Sequence, residues 1–179
     1  MVGAKMEIRT GTSRDNARLA VFGAQTFCDS YAADTRPEDL AAYVAVSFGP
    51  KVQAAELAEP GSVFLIAEDN GQIVGYARLK EDPPPTAVTG KSPIELERIY
   101  TSKAWIGKGA GSALMKACIN EANKRGCDVI WLGVWERNTR AQLFYQKWGF
   151  TEVGTQTFRM GEELHRDVLV QRLVDVKSA

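Results

Sequence analysis

Between Ile94 and Trp148 the chain reads strand, helix, strand, helix, and this order constrains its fold more than any other feature. Ile94 to Tyr100 is strand-like, and Val129 to Trp135 is a strongly apolar strand. Between them, Gly109 to Arg125 carries Ala110, Ala113, Leu114, Ala117 and Cys118 on one helical face, and Gly126 stands where a glycine caps a helix C-terminus. Asn138 to Trp148 repeats the helical spacing with Ala141, Phe144, Tyr145 and Trp148, and Gly149 stops it. A crossover helix between two strands makes them parallel, so the centre of the chain predicts a parallel pair.

The flanking segments predict antiparallel neighbours. Ser62 to Glu68 and Gln72 to Lys80 are β-rich runs joined by Asp69, Asn70 and Gly71, a hairpin signal. Glu152 to Met160 and Val168 to Val174 form a second candidate pair, and Met6 to Thr10 is a short strand. Helices are expected over Asp15 to Ala33 and from Pro37 to Phe48, the latter closed by Gly49 and Pro50, with a short helical stretch ending at Pro60. Glu81 to Ser92, with three consecutive prolines from Pro83, is an extended loop. Together these predict an α/β chain of α+β type, with one mixed, mostly antiparallel sheet flanked by helices, in a single domain over residues 1–179.

Composition narrows the partners. Lysine plus arginine and aspartate plus glutamate number 22 each, so there is no basic excess of the kind that nucleic acid demands. Cys28, Cys118 and Cys127 are odd in number, lack CxxC spacing and have one histidine to join them, which argues against a disulfide framework and a metal site. No signal-like or membrane-spanning apolar run stands out, so a soluble, cytoplasmic protein with no membrane partner is expected.

The densest chemical signal is Gly107, Lys108, Gly109, Ala110, Gly111 and Ser112, where a strand feeds a helix. Backbone amides converge there at the positive end of the helix dipole, which makes an anion cradle. A Walker A loop is excluded by spacing, since Lys108 is followed by Gly109 where Ser or Thr belongs and Ser102 stands where the first glycine belongs. A Rossmann turn fits poorly, because Ser112 occupies the third glycine position. By themselves the glycines are equally compatible with a tight turn that binds nothing.

The turn resembles the pyrophosphate loop of the GCN5-related N-acetyltransferases, (Q/R)xxGx(G/A), with Gly109 and Gly111 at its glycine positions. Ile106 stands where that loop has Gln or Arg, which removes a side-chain contact, and Lys108 offers compensating charge. Asn138 to Phe150 is similar to the same family's NxxAxxFYxKxGF segment at Asn138, Ala141, Phe144, Tyr145, Lys147, Gly149 and Phe150. Within the family, LERIYTSKAWIGKGAG, WLGVWERN and FRMGEELHRDVLV look like the PaiA group of polyamine acetyltransferases. The resemblance implies that the central parallel pair splays to hold acetyl-CoA as co-substrate. Ile99, Tyr100 and Thr101 then run beside the pantetheine arm, residues 106–112 hold the pyrophosphate, and Asn138, Ala141 and Tyr145 face the coenzyme. Dimers are common in the family, so a homodimer is an admissible partner.

Acetyl transfer from a thioester to an amine needs a deprotonated amine, a polarised carbonyl and an acid for the thiolate. Strict alternation along the strand puts Glu95, Glu97 and Ile99 on one face, and Glu97, with Glu95 second, is the candidate base. Tyr145 matches the tyrosine that family members use to protonate the thiolate. Asn138 also suits a helix N-cap, and His165 reads as a surface-loop histidine without a catalytic part. The acceptor implied is a small-molecule amine, a polyamine foremost, with Asp29, Asp34, Glu38, Asp39, Glu95 and Glu97 as contributors to a negative entry. A peptide or protein amine is the alternative substrate, and a coenzyme-binding module without catalysis the alternative function. A partner surface built from the four tryptophans is less economical than core or cleft packing, because Trp131 and Trp135 share one face of an apolar strand.

Overall fold

The computed structural model describes residues 6–174 as one seven-stranded sheet with helices on both faces. In chain order the elements are β1 (Glu7–Thr10), α1 (Asn16–Tyr31), α2 (Pro37–Ser47), α3 (Pro50–Ala58), β2 (Val63–Asp69), β3 (Gln72–Lys80), β4 (Pro93–Thr101), α4 (Ala110–Lys124), β5 (Val129–Trp135), α5 (Thr139–Lys147), β6 (Thr151–Met160) and β7 (Glu163–Leu173). The strands lie in the order β1-β2-β3-β4-β5-β7-β6. Every neighbouring pair is antiparallel except β4 and β5, with α4 as their crossover, as the central alternation predicts.

Alternating side chains divide the apolar residues between two faces. Leu65, Ala67, Ala77, Leu79, Ile130 and Leu132 pack with Leu114, Met115 and Cys118 of α4, and Ala141, Phe144 and Tyr145 of α5 join the same cluster. On the opposite face, Phe64, Ile66 and Tyr76 pack with Leu19 of α1, while Phe27, Leu40 and Phe48 bring α1 and α2 together over Met160. Beyond those helices, Val88 from the proline-rich loop covers Val129, Trp131 and Leu169. The loop is pinned by the Lys91 and Ser92 amides, which donate to Asp128.

Three sequence expectations need correction. Helix α2 does end just before Gly49 and Pro50, but Pro50 also opens α3 at its first turn, where a missing N–H costs nothing. Strand β7 begins at Glu163 rather than at Val168, because the tight turn after Met160 pairs Met160 with Glu163 and carries the polar residues into the ladder. His165 is consequently a buried strand residue, 9% exposed, and not a loop residue.

The third correction lies in β4. Arg78 pairs with Arg98 and Leu79 with Leu96, so Glu97 is the extra residue of a β-bulge and the alternation slips by one. Ile99 therefore joins Leu96 in the α4 cluster, whereas Tyr100 packs beside Phe27 of α1. Glu97 keeps Glu95 as a neighbour but not Ile99. Its face is shared with Arg98, which lies over the Phe48 ring and donates to Glu56 of α3.

Candidate active site

Strands β4 and β5 pair only at Pro93–Val129, Ile94–Ile130 and Glu95–Trp131. Beyond these residues the ladder stops, and the carboxyl ends of the two strands diverge around a slot. The slot, about 140 Å³, is lined by Ile99, Tyr100 and Thr101 on the β4 side, Gly133, Val134 and Trp135 on the β5 side, and Asn138, Ala141 and Tyr145 beyond. Unpaired strand edges leave backbone donors and acceptors free to serve a ligand there.

A larger cleft of about 550 Å³ opens from the slot along α5 toward the start of α4. Gly107, Gly109, Gly111 and Ser112 line it together with Ile99, Thr101, Ile106, Ala141 and Tyr145. Gly109 is the residue before α4 and has φ 94°, a left-handed conformation that a side chain would strain. The first helical bond runs from the Ala113 amide to the Gly109 carbonyl, so the amides of residues 109–112 precede the hydrogen-bonded ladder. They are the donors of an anion site. Lys108 is exposed and Ala110 is buried, and neither side chain lines the cleft.

Sequence reading missed the cleft's cationic rim. Arg140 and Lys147 both line it, one on either side of Phe144. They lie at i and i+7 around Phe144 at i+4, a single stripe of α5 that helical periodicity could have singled out. These two cations stand along the same cleft as Ile106, the position where the loop lacks a polar side chain.

The lower half of the second motif has a structural explanation. Asn138 caps α5, its side-chain oxygen accepting from the Ala141 amide at 3.1 Å. At the other end the Gly149 amide donates to Gln146 and the Phe150 amide to Tyr145, a Schellman closure with Gly149 at φ 81°. Phe150 then packs on Tyr145 with ring centroids 5.6 Å apart. The Gly-Phe pair thus fixes the turn from which Tyr145 projects, and Tyr145 lines both slot and cleft. Burial raises its phenol above the ordinary tyrosine range, which keeps the proton on oxygen.

The two predicted carboxylates differ. Glu97 lines the slot, but its carboxylate contacts Arg78, Lys80 at 3.2 Å and Arg98 at 3.6 Å. Burial pushes its pKa up, and Arg98, Arg78 and Lys80 outweigh this and leave it below the usual carboxylate range. Such a group is a poor proton acceptor. Glu95 lies outside the slot lining, with Lys80 at 3.5 Å, and burial raises it.

Across the sheet, on the face of α1 and α2, a third cavity of about 560 Å³ begins at Trp135. Asp34, Glu136, Arg137, Gln156, Glu163, His165 and Arg166 line it, acids and arginines together. Trp135 is shared with the slot, so slot and cavity adjoin at that residue, while cleft and slot share Ile99, Thr101, Ala141 and Tyr145. The other acids proposed for a negative entry are dispersed. Asp29 pairs with Lys103, Asp39 with Arg36, and Glu38 is exposed near Arg36.

Residues 25–150 match the model of the acetyltransferase (GNAT) family. The chain belongs to that family. A GNAT relative from Mycobacterium tuberculosis strain H37Rv, an uncharacterized N-acetyltransferase, is 36% identical over 162 residues, covering 89% of this chain and 99% of the relative. The spermine/spermidine N(1)-acetyltransferase of Bacillus subtilis strain 168 is 30% identical over 95 residues, 52% of this chain and 62% of that protein. Among solved GNAT structures, the PaiA N-acetyltransferase of Thermoplasma acidophilum in complex with coenzyme A superimposes with a TM-score of 0.76. It is 19% identical, with 94% of this chain and 99% of that chain covered. The fold is therefore that of GNAT enzymes, and the chain is an N-acetyltransferase. Among the described residues no helix is long and apolar enough to cross a membrane, and no group of three or more His, Cys, Asp or Glu is arranged to hold a metal.

Proposed function

We propose that the chain transfers the acetyl group of acetyl-CoA directly to the primary amine of a small molecule, with polyamines the favoured class. The observation that carries this reading is the row of adjoining cavities, with Tyr145 in the first two and Trp135 in the last two. Coenzyme phosphates suit the amides of residues 109–112 and the side chains of Arg140 and Lys147. The pantetheine arm suits the slot, where free β4 amides polarise the thioester carbonyl. Tyr145, neutral and on the α5 face, supplies a proton to the departing sulfur. Glu97 holds Arg78, Arg98 and Lys80 beside the slot in this reading, and Glu95 adds negative charge behind it. The polyamine preference draws support from the Bacillus subtilis relative, while the third cavity carries Asp34, Glu136 and Glu163 against Arg137 and Arg166 and so adds little net charge of either sign.

The test follows thiol release from acetyl-CoA with spermidine, spermine, aliphatic diamines and N-terminal peptides. Selective turnover of polyamines supports the reading, and turnover of peptides alone removes the polyamine class. Tyr145→Phe is expected to lower kcat about 10²-fold or more with coenzyme binding retained, since a positioned acid contributes on that order. An unchanged kcat would remove Tyr145 from the chemistry.

A further inference from the structure

Asp167 lines neither the slot nor the third cavity but stands among residues that line one or the other. It is paired with Trp135 across the β5–β7 ladder, so both side chains point to the face of α1 and α2. Its neighbour on that face is Gly133 of β5, where a methyl group would lie 3.1 Å from the Asp167 Oδ2 atom and 2.8 Å from Gln156 Nε2. Gly133 lines the slot, whereas Gln156, Trp135 and His165 line the cavity. The carboxylate therefore sits in the partition between them, only 9% exposed.

Its surroundings are unusual for a buried acid. Among the described residues no lysine or arginine lies within ion-pair distance of Asp167, whereas Glu97 has three such cations. The walls are aromatic instead. The Tyr31 ring stands 5.4 Å from Trp135, and the His165 ring meets Trp135 edge-on at 5.3 Å. A buried carboxylate without a paired cation is costly and aromatic faces attract ammonium groups; Arg137 lies over the Trp135 ring at 6.0 Å without reaching the carboxylate, which leaves room for a positive charge from outside the chain.

We propose that Asp167 receives the acceptor: the substrate's ammonium docks against its carboxylate beside Tyr31 and Trp135, and the carboxylate takes the proton that frees the amine for attack. This rests on the acetyltransferase reading of the site. The neutral amine nitrogen then forms a bond to the thioester carbon, and the carbon–sulfur bond breaks. The sulfur takes a proton from Tyr145, the nitrogen's surplus proton makes good that loss, and Asp167 returns its own proton to solvent. Burial raises the Asp167 pKa, and the Gln156 amide and His165 act in the opposite direction. A raised carboxylate is a stronger base than Glu97. The titratable groups facing it are Tyr31 from α1 and His165 from β7 itself. The ligand class is an alkylammonium on a slim aliphatic arm.

The experiment compares wild type with Asp167→Asn, using acetyl-CoA with spermidine and with n-butylamine, across a pH series. The wild-type kcat/KM is expected to rise with pH as Asp167 loses its proton. Asp167→Asn should lower kcat/KM at least 100-fold and abolish that limb, while the Kd for coenzyme A stays within twofold. The limb should persist in His165→Gln, which removes the neighbouring imidazole. Gly133→Ala, whose methyl displaces the carboxylate, should reproduce the loss should the Asn variant melt early. Rates within twofold of wild type for Asp167→Asn would overturn the proposal and leave the enzyme standing. A wild type that binds coenzyme A but turns over neither amine would overturn both.

Discussion

Replacing Gly149 by alanine tests whether the second motif is a helix stop that aims Tyr145. Gly149 has φ 81°, and the nearest atom to an added methyl is Arg172 Nε at 3.8 Å, so no steric clash contributes. The cost is conformational: forcing an L-residue into the left-handed region takes about 1–2 kcal/mol. The methyl also restricts the unfolded chain, offsetting about 0.4–1 kcal/mol. A net loss of about 1 kcal/mol follows, a fall in Tm of about 2–4 °C for a chain of this length. Gly126 is the control, since it caps α4 at φ 72° with nothing within 4 Å of an added methyl. Both variants should lose equal stability in chemical denaturation. Only Gly149→Ala should also lower kcat, because the Phe150 amide bonded to the Tyr145 carbonyl and the 5.6 Å ring contact hold the phenol's turn. Equal kcat in both variants, with equal loss of stability, would refute the claim that this cap positions Tyr145.

Arg140→Ala and Lys147→Ala, made singly, should each weaken coenzyme A binding by up to about fivefold, because exposed charges contribute about 0.2–1 kcal/mol. Calorimetric titration at low and high salt checks this, and the difference from wild type should shrink as salt rises. Asp15 is held at about 2, chiefly by its hydrogen bond from Arg9, against an ordinary 3.8, with burial opposing. A lowered carboxylate pKa stabilises the fold above the unfolded value, so this contribution should be complete above pH 3.8 and fade as pH falls toward 2. Asp15→Asn should cost on the order of 1–2 kcal/mol at pH 7 in urea melts, with the gap from wild type closing in acid.

The centre of the fold was legible because each of its signals is local. Gly126 and Gly149 end helices through bonds to residues three and five positions back, and Asn138 begins one through Ala141. The two glycine signatures carry the same locality into the site, since backbone amides need no distant partner. What escaped depends on pairing across the sheet. The bulge at Glu97 is a mismatch between β3 and β4 that one strand's alternation cannot reveal, and it moved Ile99 to the other face. Asp167 and His165 looked like polar residues ahead of a strand, because the Val168–Val174 run dominates the local pattern. Only their pairing with β6 and with Trp135 of β5 draws them inside.

The same splay explains how one sheet can serve two opposed proton transfers. Tyr145 belongs to the α5 face and packs with the α4 cluster, whereas Asp167 and Trp135 point to the face of α1 and α2. In a closed ladder the backbone would separate them completely. Where β4 and β5 part beyond Glu95 and Trp131, the slot is lined from both faces, so the proposed acid and base would address one thioester from opposite sides. Keeping them apart also preserves their protonation states: a carboxylate beside the phenol would pair with it by hydrogen bonding and quench both. Glu97 sits at the same gap with its charge already balanced by Arg78, Lys80 and Arg98, so it adds little net field to the reacting atoms. Among the described residues, Asp167 is thus a buried carboxylate at this opening without an ion-pair partner, on the face of the sheet opposite the phenol.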